Sequence, residues 1–210
     1  LSDVVVTDPG NAQVLVFRQS GIDGLGPAET FPGLLGATNA CMVDLDGDNQ
    51  LEVMLMSEPE NVVAFSRFEN GRLTFPKPVT RAQEGKTLCA IQVMQTKDKP
   101  TLAICTKSKG RNKNDLLRLY QMTLSADGTA DATDRAAEFE AAGVTGNPGM
   151  RLIAMDANAD GIEDLLIVPQ GSGSDVVVTF LSDDSGLLSD TPHPHRLNLG
   201  KGTAGPLFVH

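Results

Sequence analysis

Tryptophan is absent from this 210-residue chain, tyrosine occurs once as Tyr120, and aromatic residues make up only 4% of it. The core must therefore be built from Val, Leu, Ile, Ala and Met, and neither an aromatic-lined sugar site nor a base-stacking platform is expected. Basic residues are scarce too. Seventeen Lys and Arg against 27 Asp and Glu give a formal charge of −10, which disfavours nucleic acid and anionic membranes as partners while leaving divalent cations welcome. No apolar run reaches the roughly 18 residues of a membrane span. The opening LSDVVVTDPG has no initiator Met and no signal-peptide pattern, so the chain reads as a mature product or an excised piece. Three cysteines, Cys41, Cys89 and Cys105, cannot all pair within one molecule, and none lies in a CxxC motif. They read as buried free thiols, with a Cys89–Cys105 bridge as the alternative.

Catalytic patterns are missing as well. No G-x-S-x-G, H-E-x-x-H or phosphate-loop signature occurs. Acidic pairs such as Asp183 and Asp184 read as turn residues without the partner a glycosidase dyad needs. His193, His195 and His210 are the only histidines. The stretch TPHPHRL reads as an exposed Pro-rich connection rather than a transition-metal site or a base. A non-catalytic protein is the favoured expectation.

What is present is a repeat. With 40% apolar residues the chain can fill a core, and laying it on itself aligns ACMVDLDGDNQLEVMLM from Ala40 with IAMDANADGIEDLLIV once Asp44 is set over Asp156. AIQVMQTKDKPTLAICT from Ala90 repeats the strand, loop, strand outline with Met94 in place of Asp44. The start resembles IEDLLIVPQGSGSDVVVTF, and the end, GKGTAGPLFVH, resembles GATNACMVD. The equivalent positions Asp3, Glu52, Leu102 and Asp164 lie 49, 50 and 62 residues apart. Four units follow, at approximately 1–37, 38–87, 88–148 and 149–210, forming a single domain or fragment.

Each unit reads as four short strands. In the second, apolar runs at 38–43, 52–56 and 62–68 precede LTFPKPV. In the fourth they span 150–155, 164–169 and 175–181. KSKGRNKN in the third unit reads as a solvated hairpin tip, and helical periodicity is confined to DRAAEFEAA at 134–142. Four strands recurring at about 50 residues describe a β-propeller blade, and the fold class is all-β.

The sharpest feature is the acidic loop inside an apolar run. From Asp44, side-chain oxygens fall at positions one, three, five and nine: Asp44, Asp46, Asp48 and Glu52. From Asp156 the same positions hold Asp156, Asn158, Asp160 and Asp164. A backbone carbonyl at position seven, Gln50 or Ile162, can join each set. An all-oxygen shell of this kind suits Ca²⁺, which takes six to eight oxygens at about 2.3 to 2.6 Å. Mg²⁺ demands stricter geometry, and Zn²⁺ prefers His or Cys. An EF-hand would need Glu at position twelve, where Leu55 and Ile167 stand. One such loop is compatible with a plain polar turn; two with the same spacing favour a metal.

These residues carry a resemblance. DLDGDNQLEV and DANADGIEDLLIV resemble the calcium loops of FG-GAP/VCBS-type repeats, the blades of integrin-α-like β-propellers. The resemblance implies one structural Ca²⁺ in each loop. Asn49 departs from the usual Gly, and Glu52 from the usual Asp. In the third unit Met94, Thr96 and Leu102 replace three ligands and Asp98 alone survives, so no metal is expected there; Lys97 or Lys99 supplies positive charge instead. Propellers of the family are similar to rings of about seven blades. Four units then point to part of a larger ring, with a closed four-bladed ring as the alternative.

Such a propeller implies an extracellular, periplasmic or cell-surface module that recognises protein or glycan, or a scaffold completed by neighbouring subunits or the remaining blades. The alternative is an accessory or catalytic propeller of a polysaccharide-active or other secreted hydrolase or lyase.

Overall fold

Short β-branched and aliphatic runs punctuated by Gly, Asn, Asp and Pro direct backbone hydrogen bonds between strands rather than within helices. The computed structural model describes residues 3–21, 24–96, 99–109, 115–130, 135–140, 150–169 and 176–196, and in them the chain is all-β. No helix among the described residues is long and apolar enough to cross a membrane.

Strands that neighbour one another in the chain neighbour one another in the sheets. Sheet 1 contains β1 (Val4–Asp8), β2 (Gln13–Gln19) and β3 (Leu25–Pro32). Sheet 2 contains β4 (Ala37–Val43), β5 (Glu52–Ser57), β6 (Val62–Ser66) and β9 (Lys77–Arg81), with a small hairpin of β7 (Phe68–Glu69) and β8 (Arg72–Leu73) inserted before its last strand. β10 (Thr87–Gln95), β11 (Pro100–Lys109), β12 (Asp115–Thr123) and β13 (Arg135–Glu140) make sheet 3. β14 (Met150–Met155), β15 (Asp164–Pro169), β16 (Val176–Phe180) and β17 (His193–Arg196) make sheet 4. Sheets 2 and 4 share a register: Val43 faces Glu52 across the first hairpin as Met155 faces Asp164, in antiparallel pairs.

Three details differ from the sequence expectations. Residues 135–140 of the helical-looking DRAAEFEAA form β13, because pairing Leu116 with Glu140 through Gln121 with Arg135 completes a sheet edge that a helix would leave open. The fourth strand of the second unit is Lys77–Arg81 rather than the whole of LTFPKPV, since Asn70 and Gly71, with φ of 52° and 77°, first turn the chain through the β7–β8 hairpin. His193–Arg196 is the last strand of sheet 4, not a plain connection. Its Pro194 faces Val178, and an outermost strand tolerates a residue with no N–H to donate. Residues 107–109 of the basic turn end β11, paired with β12, while its remainder at 110–114 and the C-terminal repeat within 197–210 lie outside the described residues.

The chain divides into two compact units. One holds residues 1–88 with Leu124–Ala130; the other holds 89–123 with 131–210. In the first, Val14 and Val16 of β2, Val53 and Leu55 of β5, and Val62 and Ala64 of β6 form a shared core with Phe31 and Leu34. In the second, Ala103 and Cys105 of β11, Leu117 and Leu119 of β12, and Leu165 and Ile167 of β15 pack with Phe180 and Leu188. Each acidic loop hangs from the first hairpin of a sheet anchored in one of these cores. Burial therefore fixes the loop ends.

Candidate metal centre

The first loop joins β4 to β5. Asp44 Oδ1 accepts from the Gly47 N–H at 2.8 Å and Oδ2 from the Asn49 N–H at 3.0 Å. Asp48 accepts from the Gln50 N–H at 2.7 Å and from the Gln50 side-chain amide at 3.0 Å. Glu52, only 3% exposed, accepts from the Leu45 N–H at 2.9 Å. These bonds curl the chain around its own carboxylates. The curl places Gly47 and Asn49 at φ of 77° and 64°, a conformation in which Gly is free and Asn is tolerated.

The second loop, from β14 to β15, repeats this frame. Gly161 N–H donates to Asp156 Oδ2 at 2.8 Å, Ile162 N–H to Asp160 Oδ1 at 2.8 Å and Ala157 N–H to Asp164 Oδ2 at 2.9 Å. Positions one, five and nine thus receive the N–H groups of positions six, seven and two in both loops. Positions four and six again have positive φ, Ala159 at 63° and Gly161 at 85°.

Position three differs. Asp46 projects its carboxylate toward those of Asp44 and Asp48, and the three offer ligand oxygens all within 4.8 Å of one another. An ion about 2.3 to 2.6 Å from each oxygen spans oxygens up to about 5 Å apart, so this donor set fits Ca²⁺. Accepting an N–H leaves a carboxylate oxygen a second lone pair for a cation. Asn158 instead turns back into its own loop, accepting from the Asp160 N–H at 3.0 Å and donating to Asp160 Oδ2 at 2.8 Å. Asp164 is fully buried and has both oxygens engaged, Oδ1 taking the Ser182 N–H at 2.7 Å. Gln50 and Ile162 enter the frame through their N–H groups. Met94 and Leu102, which stand at ligand positions in the third unit, are buried apolar residues.

Sequence spacing alone missed Arg67. Its Nη1 lies 3.7 Å from Asp46 and its Nε 3.9 Å from Glu52, while Nη2 donates to the Ala126 carbonyl at 2.7 Å. The guanidinium also sits over the Phe65 ring, 5.7 Å from its centroid. A cation is therefore already tethered beside the acids. Burial pushes the Glu52 carboxyl above its usual range; the Leu45 N–H and Arg67 oppose that rise, and Asp46 and Asp48 add to it. The signal was available only as register: Val53 pairs with Ser66, which sets Glu52 opposite Arg67.

No protein-family model matches this chain. No curated protein matches its sequence either.

Proposed function

We propose that this chain is a calcium-binding β-propeller module of the FG-GAP/VCBS-like kind, non-catalytic, acting outside the cytoplasm by presenting loops to a protein or glycan partner. The carrying observation is that two acidic loops from different sheets share three hydrogen bonds from backbone N–H groups to side-chain carboxylates and two positive-φ positions. Polar turns with no common task have no reason to converge on that frame. The chain-ordered antiparallel sheets support a blade reading, because each is a meander of the kind a propeller repeats. Asp44, Asp46, Asp48 and Glu52 would hold one Ca²⁺, and Asp156, Asn158, Asp160 and Asp164 the other. Bound ions would stabilise the hairpins by mass action.

The test is thermal unfolding in Ca²⁺, Mg²⁺ and chelator for the wild type, Asp44→Ala and Asp156→Ala. Ca²⁺ should raise the midpoint selectively, with part of the gain lost in each variant. Coincident curves would reduce the acids to turn formers and remove the support for a calcium-loaded module.

A further inference from the structure

We propose that Cys89 and Cys105 are a redox pair, closing a reversible disulfide between β10 and β11 when the protein meets a disulfide oxidant. The two strands are neighbours in sheet 3, and the Cys89 thiol donates to the Cys105 carbonyl at 3.1 Å. Cys105 is fully buried in the core of its unit, and the half-buried Cys89 packs against the same cluster. Both thiols are free in the structure. Contact with the Cys89 thiol, together with burial, holds the Cys105 thiol well above its ordinary range. A thiol that already reaches the partner cysteine's carbonyl across adjacent strands, and packs on the same cluster, needs little backbone movement to bring the two sulfurs to bonding geometry.

Burial sets the order of events. Cys89, as thiolate, attacks one sulfur of a small disulfide such as oxidised glutathione; a Cys89–glutathione bond forms and one glutathione thiolate leaves. Cys105 then gives up its proton and attacks the Cys89 sulfur, expelling the second glutathione. Two protein thiols lose two electrons and two protons, and the oxidant becomes two thiols. The high affinity of Cys105 for its proton makes the second step the slow one. The closed loop links residues 16 apart and restricts the unfolded chain, so oxidation should raise the unfolding midpoint. Cys41, on β4 in the other unit, is an internal control.

The folded wild-type protein would be incubated with oxidised glutathione, alkylated and mapped by mass spectrometry without reduction. The expected product is a crosslinked peptide pair holding Cys89 and Cys105, lighter by two hydrogens, with a raised midpoint that dithiothreitol reverses. Cys105→Ala should instead stop at a stable glutathione adduct on Cys89. If the wild type stops at the same adduct, with Cys105 alkylated only after unfolding, the pair is not a redox pair.

Discussion

The loops 44–52 and 156–164 fold into one backbone frame and balance their charge by different means. In the first, Arg67 stands across the strand pair from Glu52 and reaches Asp46 as well. In the second, the register that pairs Leu165 with Phe180 puts Leu181 opposite Asp164, and two N–H groups take the place of the cation. One charge is also removed there, since Asn158 replaces an acid. A carboxylate at positions one, five and nine is thus what the frame uses in common, while position three and the cross-strand partner vary with how each loop contains its repulsion.

The largest effect should come from position nine. Asp164→Ala strips two part-buried N–H groups of their acceptor, at about 3 kcal/mol in total, whereas Glu52→Ala strips the single buried Leu45 N–H and costs about 2 kcal/mol. Denaturant unfolding in chelator measures both. A Glu52→Ala loss equal to that of Asp164→Ala would break the contrast.

Next comes Arg67→Leu, which copies Leu181 into the first loop. Without metal it should lose about 1–2 kcal/mol, through the Ala126 hydrogen bond and the uncompensated Glu52. Its midpoint should then rise more with Ca²⁺ than that of the wild type, because the ion replaces the tethered cation. An equal rise in both proteins would mean that Arg67 does not offset the loop's charge.

Smaller shifts test the frame itself. Ala159→Gly should stabilise by about 0.5–1 kcal/mol by relieving a positive φ, and Gly47→Ala should destabilise by a similar amount. The same denaturant series reads both, and a sign reversal at either position would contradict the shared conformation.

Position nine also predicts opposite pH responses. Asp3 and Glu52 are equivalent in the repeat and each faces an arginine, Arg18 at 3.1 Å and Arg67 at 3.9 Å. The Gln19 N–H, aided by Arg18, lowers the exposed Asp3 carboxyl, whereas burial raises that of Glu52. The Asp3 contribution to stability is present above the ordinary aspartate value of 3.8 and is lost as pH falls through its lowered folded value. The Glu52 contribution is present below the ordinary glutamate value of 4.5 and is lost as pH rises through its raised folded value. Stability against pH in chelator should therefore show a smaller acid-side fall in Asp3→Asn and a smaller decline above 4.5 in Glu52→Gln.

Much of this was legible in the sequence because each signal was local. The apolar runs at 38–43, 52–56 and 150–155 fall within one residue of β4, β5 and β14 at each end, since turn residues bracket them. The acidic spacing likewise marked where the two frames would form. Arg67 was not legible, because its meaning depends on a cross-strand register that brings residues 52 and 67 together. Strand β13 was hidden for a related reason: sheet pairing outweighed a local helical pattern. The β7–β8 hairpin interrupts the four-strand rhythm through a two-residue Asn-Gly turn that the repeat did not forecast.

The most direct test is a calorimetric Ca²⁺ titration of chelator-stripped protein. Two ions per chain are predicted for the wild type, and one each for Asp44→Ala and Asp156→Ala. No binding heat, or a stoichiometry unchanged by either substitution, would contradict a calcium site in these two loops.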